Sequence, residues 1–280
     1  LSSSAEAALR CPVCRAAFAA TSSGLRCVAG HSFDRARQGY VNLAAGLGRP
    51  GPGADGAAAV AARASFLTSG HFAALVAVIV DTARASWPGA GLVLDAGSGP
   101  GHYLAAVLDA LPAAEGLAID SSAPALRRAA RCHPRARAVG WDLREPLPVA
   151  DGCIGLLLNV FAPRNGAEYA RVLRPDGALL VVTPGPGHLG ELIGPLGLIS
   201  VDAHKPARLA AALDRWFAPV SARRLTAPMA LSRDAVRAVV AMGPNAHHVD
   251  PDRLAGRVAT LREPVAVTLE VDVAVSRPRR

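Results

Sequence analysis

The sequence predicts an α/β fold, a parallel sheet with helices on both faces, preceded by a small zinc-binding module. Three observations carry this prediction. Residues 11–31, CPVCRAAFAATSSGLRCVAGH, place three cysteines and a histidine at C-x2-C-x12-C-x3-H spacing. From residue 91 short apolar runs alternate with stretches of helical periodicity. The first of these runs ends in a glycine loop, LDAGSGPG, residues 94–101.

Cys11, Cys14, Cys27 and His31 suit one Zn²⁺, because thiolates and imidazole are its preferred ligands and two ligand pairs joined by a loop are a common framework. Four protein ligands leave no open coordination position, so the metal is expected to be structural. The alternative is a set of buried or disulfide-bonded cysteines. The remaining cysteines, Cys132 and Cys153, stand alone. The module is assigned to residues 1–45 and is expected to present nucleic acid to the rest of the chain.

Residues 46–57 are rich in glycine and proline and read as a loop. Residues 58–86 carry apolar residues at helical spacing, broken near Ser69-Gly70-His71, which predicts two helices. Residues 46–86 thus form a linker with connecting helices, and residues 87–280 the main domain. Trp87-Pro88-Gly89-Ala90 is a turn. Strands are expected at 91–96, 116–120, 136–141, 153–160 and 177–184, with helices at 102–111, 122–133 and 167–173 between them. Repeated strand–helix–strand units build a parallel sheet. The tail, 265–277, alternates apolar and other residues and reads as an antiparallel closing strand.

The 280 residues suffice for one large domain or two unequal ones, and 51% are hydrophobic, so a sizeable core is available. No apolar run reaches the length of a bilayer span, so no membrane partner is expected. The start, LSSSAEAALR, lacks the pattern of a signal peptide. It also lacks methionine, so further residues are expected upstream. Thiols holding zinc point to the reducing cytoplasm. The formal charge is +8, from 30 basic and 22 acidic residues, and Lys205 is the only lysine. Arginine, alanine, glycine and proline in excess fit a GC-rich genome. The surplus of positive charge favours an anionic partner such as nucleic acid, with a merely basic soluble enzyme as the alternative.

The loop after the first strand reads D-x-G-x-G-x-G from Asp95, and the second strand ends in Asp120, which can accept hydrogen bonds from two ribose hydroxyls. Dinucleotide sites usually carry G-x-G-x-x-G and meet a pyrophosphate. Here the spacing differs and an acidic residue precedes the glycines, which suits a cationic ligand with an amino group, S-adenosylmethionine. The loop resembles the first motif of class I (Rossmann-like) methyltransferases. Candidate cofactor contacts are Asp95, Gly97, Ser98, Gly99, Pro100, Gly101, His102, Asp120 with Ser121, and Asp142 with Leu143, where Asp142 meets the adenine amino group or instead caps a turn. After the fourth strand comes NVFAPRN, 159–165. In N-methyltransferases of this class that loop holds the target base. Asn159, Phe161 and Pro163 loosely resemble its pattern and are the catalytic candidates, Asn159 also lining the cofactor; a structural turn is the alternative.

Together these motifs resemble the bacterial 23S rRNA guanine-N1 methyltransferases, including the actinomycete macrolide-resistance members. The resemblance rests on the zinc pattern, HSFDRARQGYVNL (31–43), ARASFLTSGHFAAL (62–75), LDAGSGPGHY, NVFAPRN, LRPDGALLVVTPGPGHLGEL (173–192) and VVAMGP (239–244). It implies a class I S-adenosylmethionine-dependent methyltransferase domain and methylation of N1 of a guanine in hairpin 35 of 23S rRNA, at position 745 or 748. It also implies a zinc module that helps bind the RNA, and a homodimer. It places Phe72, Gly99, Pro100 and His188 near the cofactor; Phe72 stands where the family has tyrosine. The GC-rich composition favours position 748 and drug resistance. Arg26, Arg35 and Arg37 of the module are candidate phosphate contacts. A small-molecule methyltransferase would share the nucleotide loop, and a nonenzymatic zinc-ribbon RNA-binding protein on a degenerate core is the third reading. The first has no evident need for a basic zinc module, and the intact Asp95, glycine loop and Asp120 speak against the second.

The chemistry makes two demands. The methyl must pass in line from sulfur to N1, and the N1 proton must leave. N1 lies on the Watson–Crick edge, so a paired guanine has to be unpaired or flipped out, and Phe161 could stack on it. Asn159 and carbonyls near Pro163 are candidates to hold the base edge. The sequence names no general base.

Overall fold

The computed structural model describes residues 3–44, 54–198, 213–243 and 250–279. Near the N-terminus, α1 (Ser4–Ala7) is capped by Ser3, whose side chain accepts from Glu6 N. Strands β1 (Phe18–Ala20), β2 (Gly24–Cys27) and β3 (Ser32–Asp34) then form an antiparallel sheet of their own. Gly24 is required there: a Cβ would fall 2.1 Å from the Phe33 carbonyl oxygen across the β2–β3 pair. The next strand, β4 (Val41–Asn42), leaves this small sheet and pairs in parallel with Val139 and Gly140 of the large one.

Two helices follow, α2 (Ala57–Thr68) and α3 (Ala73–Ser86), bent by 82° at the expected break. The core then runs β5 (Leu92–Ala96), α4 (His102–Ala110), β6 (Gly116–Asp120), α5 (Ala123–Ala129), β7 (Ala136–Gly140), β8 (Ile154–Val160), α6 (Gly166–Val172) and β9 (Leu173–Pro184). After β9 come α7 (Gly190–Leu196), β10 (Phe217–Leu231), α8 (Arg233–Ala241), α9 (Pro251–Ala259) and β11 (Val265–Pro278). The large sheet has the order β10-β11-β9-β8-β5-β6-β7-β4 and is parallel except at β10 and β11. The chain steps from β5 outward to β7, then crosses to β8 and steps outward on the other side. The crevice at the carboxyl end of β5 is therefore the topological switch point, where open α/β sheets bind ligands.

All five expected parallel strands are present. The closing strand is antiparallel as expected, but it is not the edge: β10 lies outside it, paired along most of its length. Residues 185–264 carried no expected element, and among the described residues the structure places three helices and β10 there. Of the expected glycine- and proline-rich loop, residues 46–53 lie outside the described residues.

Period-two alternation sends β5, β6, β8 and β9 side chains to both faces, and each face has its own core. Val93, Ala118, Leu156, Leu158, Leu180 and Val182 pack with Leu75 and Ile79 of α3 and Leu104 and Leu108 of α4. On the opposite face Leu94, Leu117, Ile119, Leu157 and Leu179 pack with Tyr169 and with Leu9, Cys11, Leu25, Cys27 and Phe33 of the zinc module. The module thus covers a sheet face that no helix between β7 and β8 covers. Polar contacts fix it there. Leu9 bridges to Val149, Ala5 N donates to Glu115 Oε2 at 3.2 Å, and Arg15 donates to the Leu147 carbonyl at 2.9 Å.

No single helix among the described residues is long and apolar enough to cross a membrane; α2 and α3 pass that test only as a bent pair. Their apolar residues Phe66, Leu67, Leu75 and Ile79 lie in the core.

Candidate functional site

The two ligand turns of the module bring four donors together. Arg15 N bonds back to the Cys11 carbonyl with Arg15 at φ 62°, and Gly30, at φ 87°, closes the turn from Cys27 to His31. His31 Nδ1 lies 3.6 Å from Cys11 Sγ and 3.3 Å from Cys27 Sγ, and Cys14 Sγ lies 3.6 Å from Cys27 Sγ. All four ligand atoms fall within 4.8 Å of one another. Donors about 2.3 Å from a tetrahedral zinc stand roughly 3.8 Å apart, so the arrangement fits one Zn²⁺. Burial opposes ionisation of Cys27, but hydrogen bonds from His31, Cys14 and the backbone outweigh it and bring the thiol down to about 6. A thiolate is the form zinc binds.

The second site is the crevice at β5. Asp95 is the last acidic group before the loop and is 1% exposed. The three loop glycines have φ of 82° (Gly97), 53° (Gly99) and 83° (Gly101), a left-handed run that other residues adopt only under strain. The loop is also crowded: a Cβ on Gly97 would meet Ala162 Cβ at 2.4 Å, and one on Gly101 would meet Cys132 Sγ at 2.7 Å. Asp120 shapes it from β6. Its Oδ2 accepts from Gly99 N and its Oδ1 from Ser122 N, both at 2.8 Å. Each oxygen keeps a lone pair for a ribose hydroxyl.

The electrostatics select a cation. Burial first, and the neighbouring Asp120 carboxylate second, push Asp95 up to about 7, against a partial offset from the Leu104 backbone. Asp95 Oδ2 and Ser98 Oγ are buried with no hydrogen-bond partner among the described residues. A buried acceptor without a donor is costly unless a ligand supplies one. An ammonium does so for Asp95, hence the residues present fit S-adenosylmethionine. Arg63 of α2 lies over the loop: it pairs with Asp55 and donates to the Met242 carbonyl, and its NH1 is 3.8 Å from where a Gly99 Cβ would stand. Ser122 Oγ donates to the Asp55 carbonyl at 2.7 Å, closing residue 55 over the ribose side. Arg63, Asp55 and Ser122 were missed from sequence, because only the fold brings α2 over the loop.

Beside the crevice lies a third cluster. Phe161, which follows β8, is 41% exposed and has φ 55°, a strained value for a bulky residue. His188, after β9, sits 5.9 Å from the Phe161 ring and 6.3 Å from the Phe72 ring. Its neighbour Leu189 is also strained, at φ 55°. Glu270 of β11 holds the turn: its carbonyl accepts from Gly185 N and its Oε1 from Gly187 N, each at 2.9 Å. No local pattern could have revealed Glu270, which is 83 residues from Gly187.

Most of the sequence candidates converge on this end of the sheet: Asp95, the loop from Gly97 to His102, Asp120 with Ser121, and the Phe72–Phe161–His188 cluster. One expectation changes. Asn159, expected at the base edge, is fully buried, and all its polar contacts are internal. Its Nδ2 donates to the Pro163 carbonyl at 2.9 Å and stands 3.2 Å from Tyr169 Oη, while its Oδ1 accepts from Arg164 Nε at 3.2 Å. The Pro163 carbonyl accepts a second bond from Tyr169 Oη at 3.0 Å, so it too is satisfied within the protein. Both residues fix the loop in place of meeting a ligand edge. Asp142 pairs with Arg144, whose Nε and NH2 donate to its two oxygens at 3.0 Å and 2.6 Å, and the carboxylate keeps a lone pair for a further donor. That hydrogen-bonded pair keeps the Asp142 carboxyl below its ordinary value. Among the module arginines, Arg35 is spent on Glu6 and the Gly39 carbonyl, whereas Arg26 and Arg37 are exposed.

Comparison with known proteins gives two family matches, "RlmA, N-terminal" over residues 9–44 and "Methyltransferase domain" over residues 93–177. The chain is 50% identical to the 23S rRNA (guanine(748)-N(1))-methyltransferase of Streptomyces fradiae, over 96% of each chain. It is 52% identical to a Micromonospora griseorubida protein assigned as a 23S rRNA (guanine-N(1)-)-methyltransferase, over 96% of this chain and 97% of that one. A Bacillus subtilis protein with the same assignment is 30% identical over 95% of each chain.

Three predictions come from the site. Cys14→Ser lowers the zinc content, expected at one per chain, and lowers the thermal stability of the whole protein, because Cys11 and Cys27 belong to a core shared with the sheet. Elemental analysis with thermal melts checks this, and full zinc content in the variant refutes it. Cofactor affinity, followed by calorimetry, rises between about pH 6 and about pH 8, because only ionised Asp95 attracts an ammonium. Asp95→Asn flattens this dependence. Asp120→Ala weakens binding at least about tenfold, the equivalent of one charge-assisted hydrogen bond. Unchanged affinity in folded Asp120→Ala refutes its assignment to the ribose.

Proposed function

The chain belongs to the 23S rRNA (guanine-N1)-methyltransferase family, S-adenosylmethionine-dependent enzymes, and we propose that it methylates N1 of the guanine at position 748 in hairpin 35 and thereby confers macrolide resistance. The observation that carries the choice of position is its half-identity, over nearly the full length of both chains, with the position-748 enzyme. Ribosomal RNA as substrate sets the place of work as the cytoplasm, and the active form as a homodimer follows the family resemblance. Residues 1–45 act as the RNA-recognition module, 46–86 as connection and 87–280 as the methyltransferase domain.

S-adenosylmethionine, when bound, supplies the methyl group on a cationic sulfur. This chain's residues do the rest. Asp95 and Ser98 take the polar end of the cofactor, Gly97, Gly99, Pro100, Gly101 and His102 shape its loop, and Asp120 with Ser121 takes the ribose. Leu143 lines the adenine side, where Asp142 contributes through its fixed turn. Phe72 and His188 border the crevice.

The acceptor guanine is flipped to reach it, and Phe161 gives the base a stacking face. Asn159 and Pro163 serve as positioning residues: by satisfying one another and Tyr169 they hold the turn that presents Phe161.

Mass spectrometry of digested 23S rRNA from a host expressing the protein is expected to show one added methyl on N1 of the guanine at 748, together with reduced macrolide sensitivity. A methyl on another base, or transfer to small molecules only, overturns the reading. Arg26→Gln is expected to weaken RNA binding and reduce the slope of log affinity against log salt by about one unit, leaving cofactor affinity unchanged. An unaltered slope removes Arg26 from the RNA contacts.

A further inference from the structure

The reaction leaves one demand unmet by the residues assigned so far: guanine N1 carries a proton that must go somewhere. Asn159 and the Pro163 carbonyl cannot take it, since amide oxygens are far too weakly basic and both are engaged within the protein. Asp95 lies under the cofactor loop, at the tip of β5. Among the described residues one basic atom near the stacking face is without a partner, His188 Nδ1, which is buried.

We propose that His188 Nδ1 accepts the N1 proton of the target guanine, an assignment that rests on the functional reading above. The geometry supports it from three sides. The ring lies 5.9 Å from Phe161, the exposed face on which a flipped base stacks, and 6.3 Å from Phe72. The turn carrying it is pinned by Glu270 through Gly185 N and Gly187 N, so the imidazole is presented by a fixed backbone. Strain at both Phe161 and Leu189, each at φ 55°, shows that this arrangement is held against local preference.

The step balances. As the N1–methyl bond forms, the sulfur–methyl bond breaks and its electron pair stays on sulfur. The N1–H bond leaves its pair on N1 and gives its proton to Nδ1, so the positive charge of the sulfonium reappears on the imidazolium.

The protonation state is right for this role. Burial holds His188 below the ordinary histidine value, and a backbone hydrogen bond and the carboxylate of Glu270 only partly offset it. Glu270 of β11 is the charged group facing the ring; its carboxylate is shared with the amide of Gly187 and lies 3.9 Å from Arg224. Glu191, on the helix after His188, is turned to Thr268. Phe72 and Phe161 are uncharged. A neutral imidazole with a free lone pair is therefore the state present at neutral pH, and it is lost only as the pH falls below the ordinary histidine range.

The test is single-turnover methylation of a hairpin 35 RNA across pH, at saturating cofactor and RNA, with cofactor affinity measured in parallel by calorimetry. The wild-type rate is expected to fall on the acid side along one ionisation. His188→Gln is expected to react at least about 100-fold more slowly at neutral pH, the usual scale of general-base catalysis. It should lose that acid limb and climb toward alkaline pH as guanine itself ionises. A variant that keeps the wild-type acid limb, or whose defect vanishes once cofactor is saturating, overturns the assignment and leaves His188 a cofactor contact. Failure of the wild type to methylate RNA overturns the functional reading and this inference with it.

Discussion

A buried carboxylate with no counter-charge organises this molecule. Asp95 sits at the tip of the central strand, almost fully excluded from water, and the group nearest to it in charge is another carboxylate, Asp120. Nothing in folding favours this. The folded-state value, near 7, lies above the ordinary 3.8, so the protonated carboxyl adds stability that is present at low pH and lost as pH rises through 7. At working pH the fold tolerates a destabilised group whose compensation is a cationic ligand. The rest of the crevice follows from this: glycines that bring the backbone within reach, an Asp120 that ties the loop down through two amides, and an Arg63 over the opening whose charge is held by Asp55.

The zinc module answers a different constraint. A doubly wound sheet needs cover on both faces. Between β7 and β8 the chain makes no helix, so one face would leave Leu117, Ile119 and Val139 against water. The module supplies the missing layer with Leu9, Leu25 and Phe33, and two of its own metal ligands, Cys11 and Cys27, are part of that layer. Strand β4 continues it into the sheet itself. The metal therefore braces both the module and the sheet face beneath it. A zinc ribbon placed this way is fixed relative to the cofactor crevice, which a flexibly tethered one would not be.

The parallel core was legible because buried central strands write their signal in sequence order: continuous apolar runs, each followed by a helix, with loop residues at the switch point. The metal site was legible for the same local reason, all four ligands lying within 21 residues. Strand β10 was not. It is an edge strand whose residues are mostly exposed, interrupted by Pro219 and Pro228 and two arginines, and such a segment carries little apolar periodicity. The amphipathic helices α8 and α9 went unassigned although their caps, Ser232 and Asp250, were readable signals. Within the site, sequence found the residues that share a motif and missed those that act across the fold, Arg63, Tyr169 and Glu270. It also misjudged Asn159, since a polar residue at a strand end looks the same whether it faces a ligand or the protein.

That misjudgement shows how the acceptor side is built. Asn159, Tyr169, Arg164 and the Pro163 carbonyl form a connected, buried set of hydrogen bonds, in which the Asn159 amide and both lone pairs of the Pro163 carbonyl are used. A satisfied buried network is rigid, and this one ends one residue short of Phe161, whose strained backbone it over-determines. Across the crevice Glu270 does the same for the turn that ends at His188 and Leu189. The two turns are anchored independently, one to α6 and one to β11, yet each delivers an aromatic ring to the same place. Phe161 offers a face for a planar guest, and the His188 ring stands beside it, 5.9 Å away. Asp95, Ser98 and His188, three of the five buried groups without a hydrogen-bond partner among the described residues, are the ones the proposed reading sets against the two reacting partners.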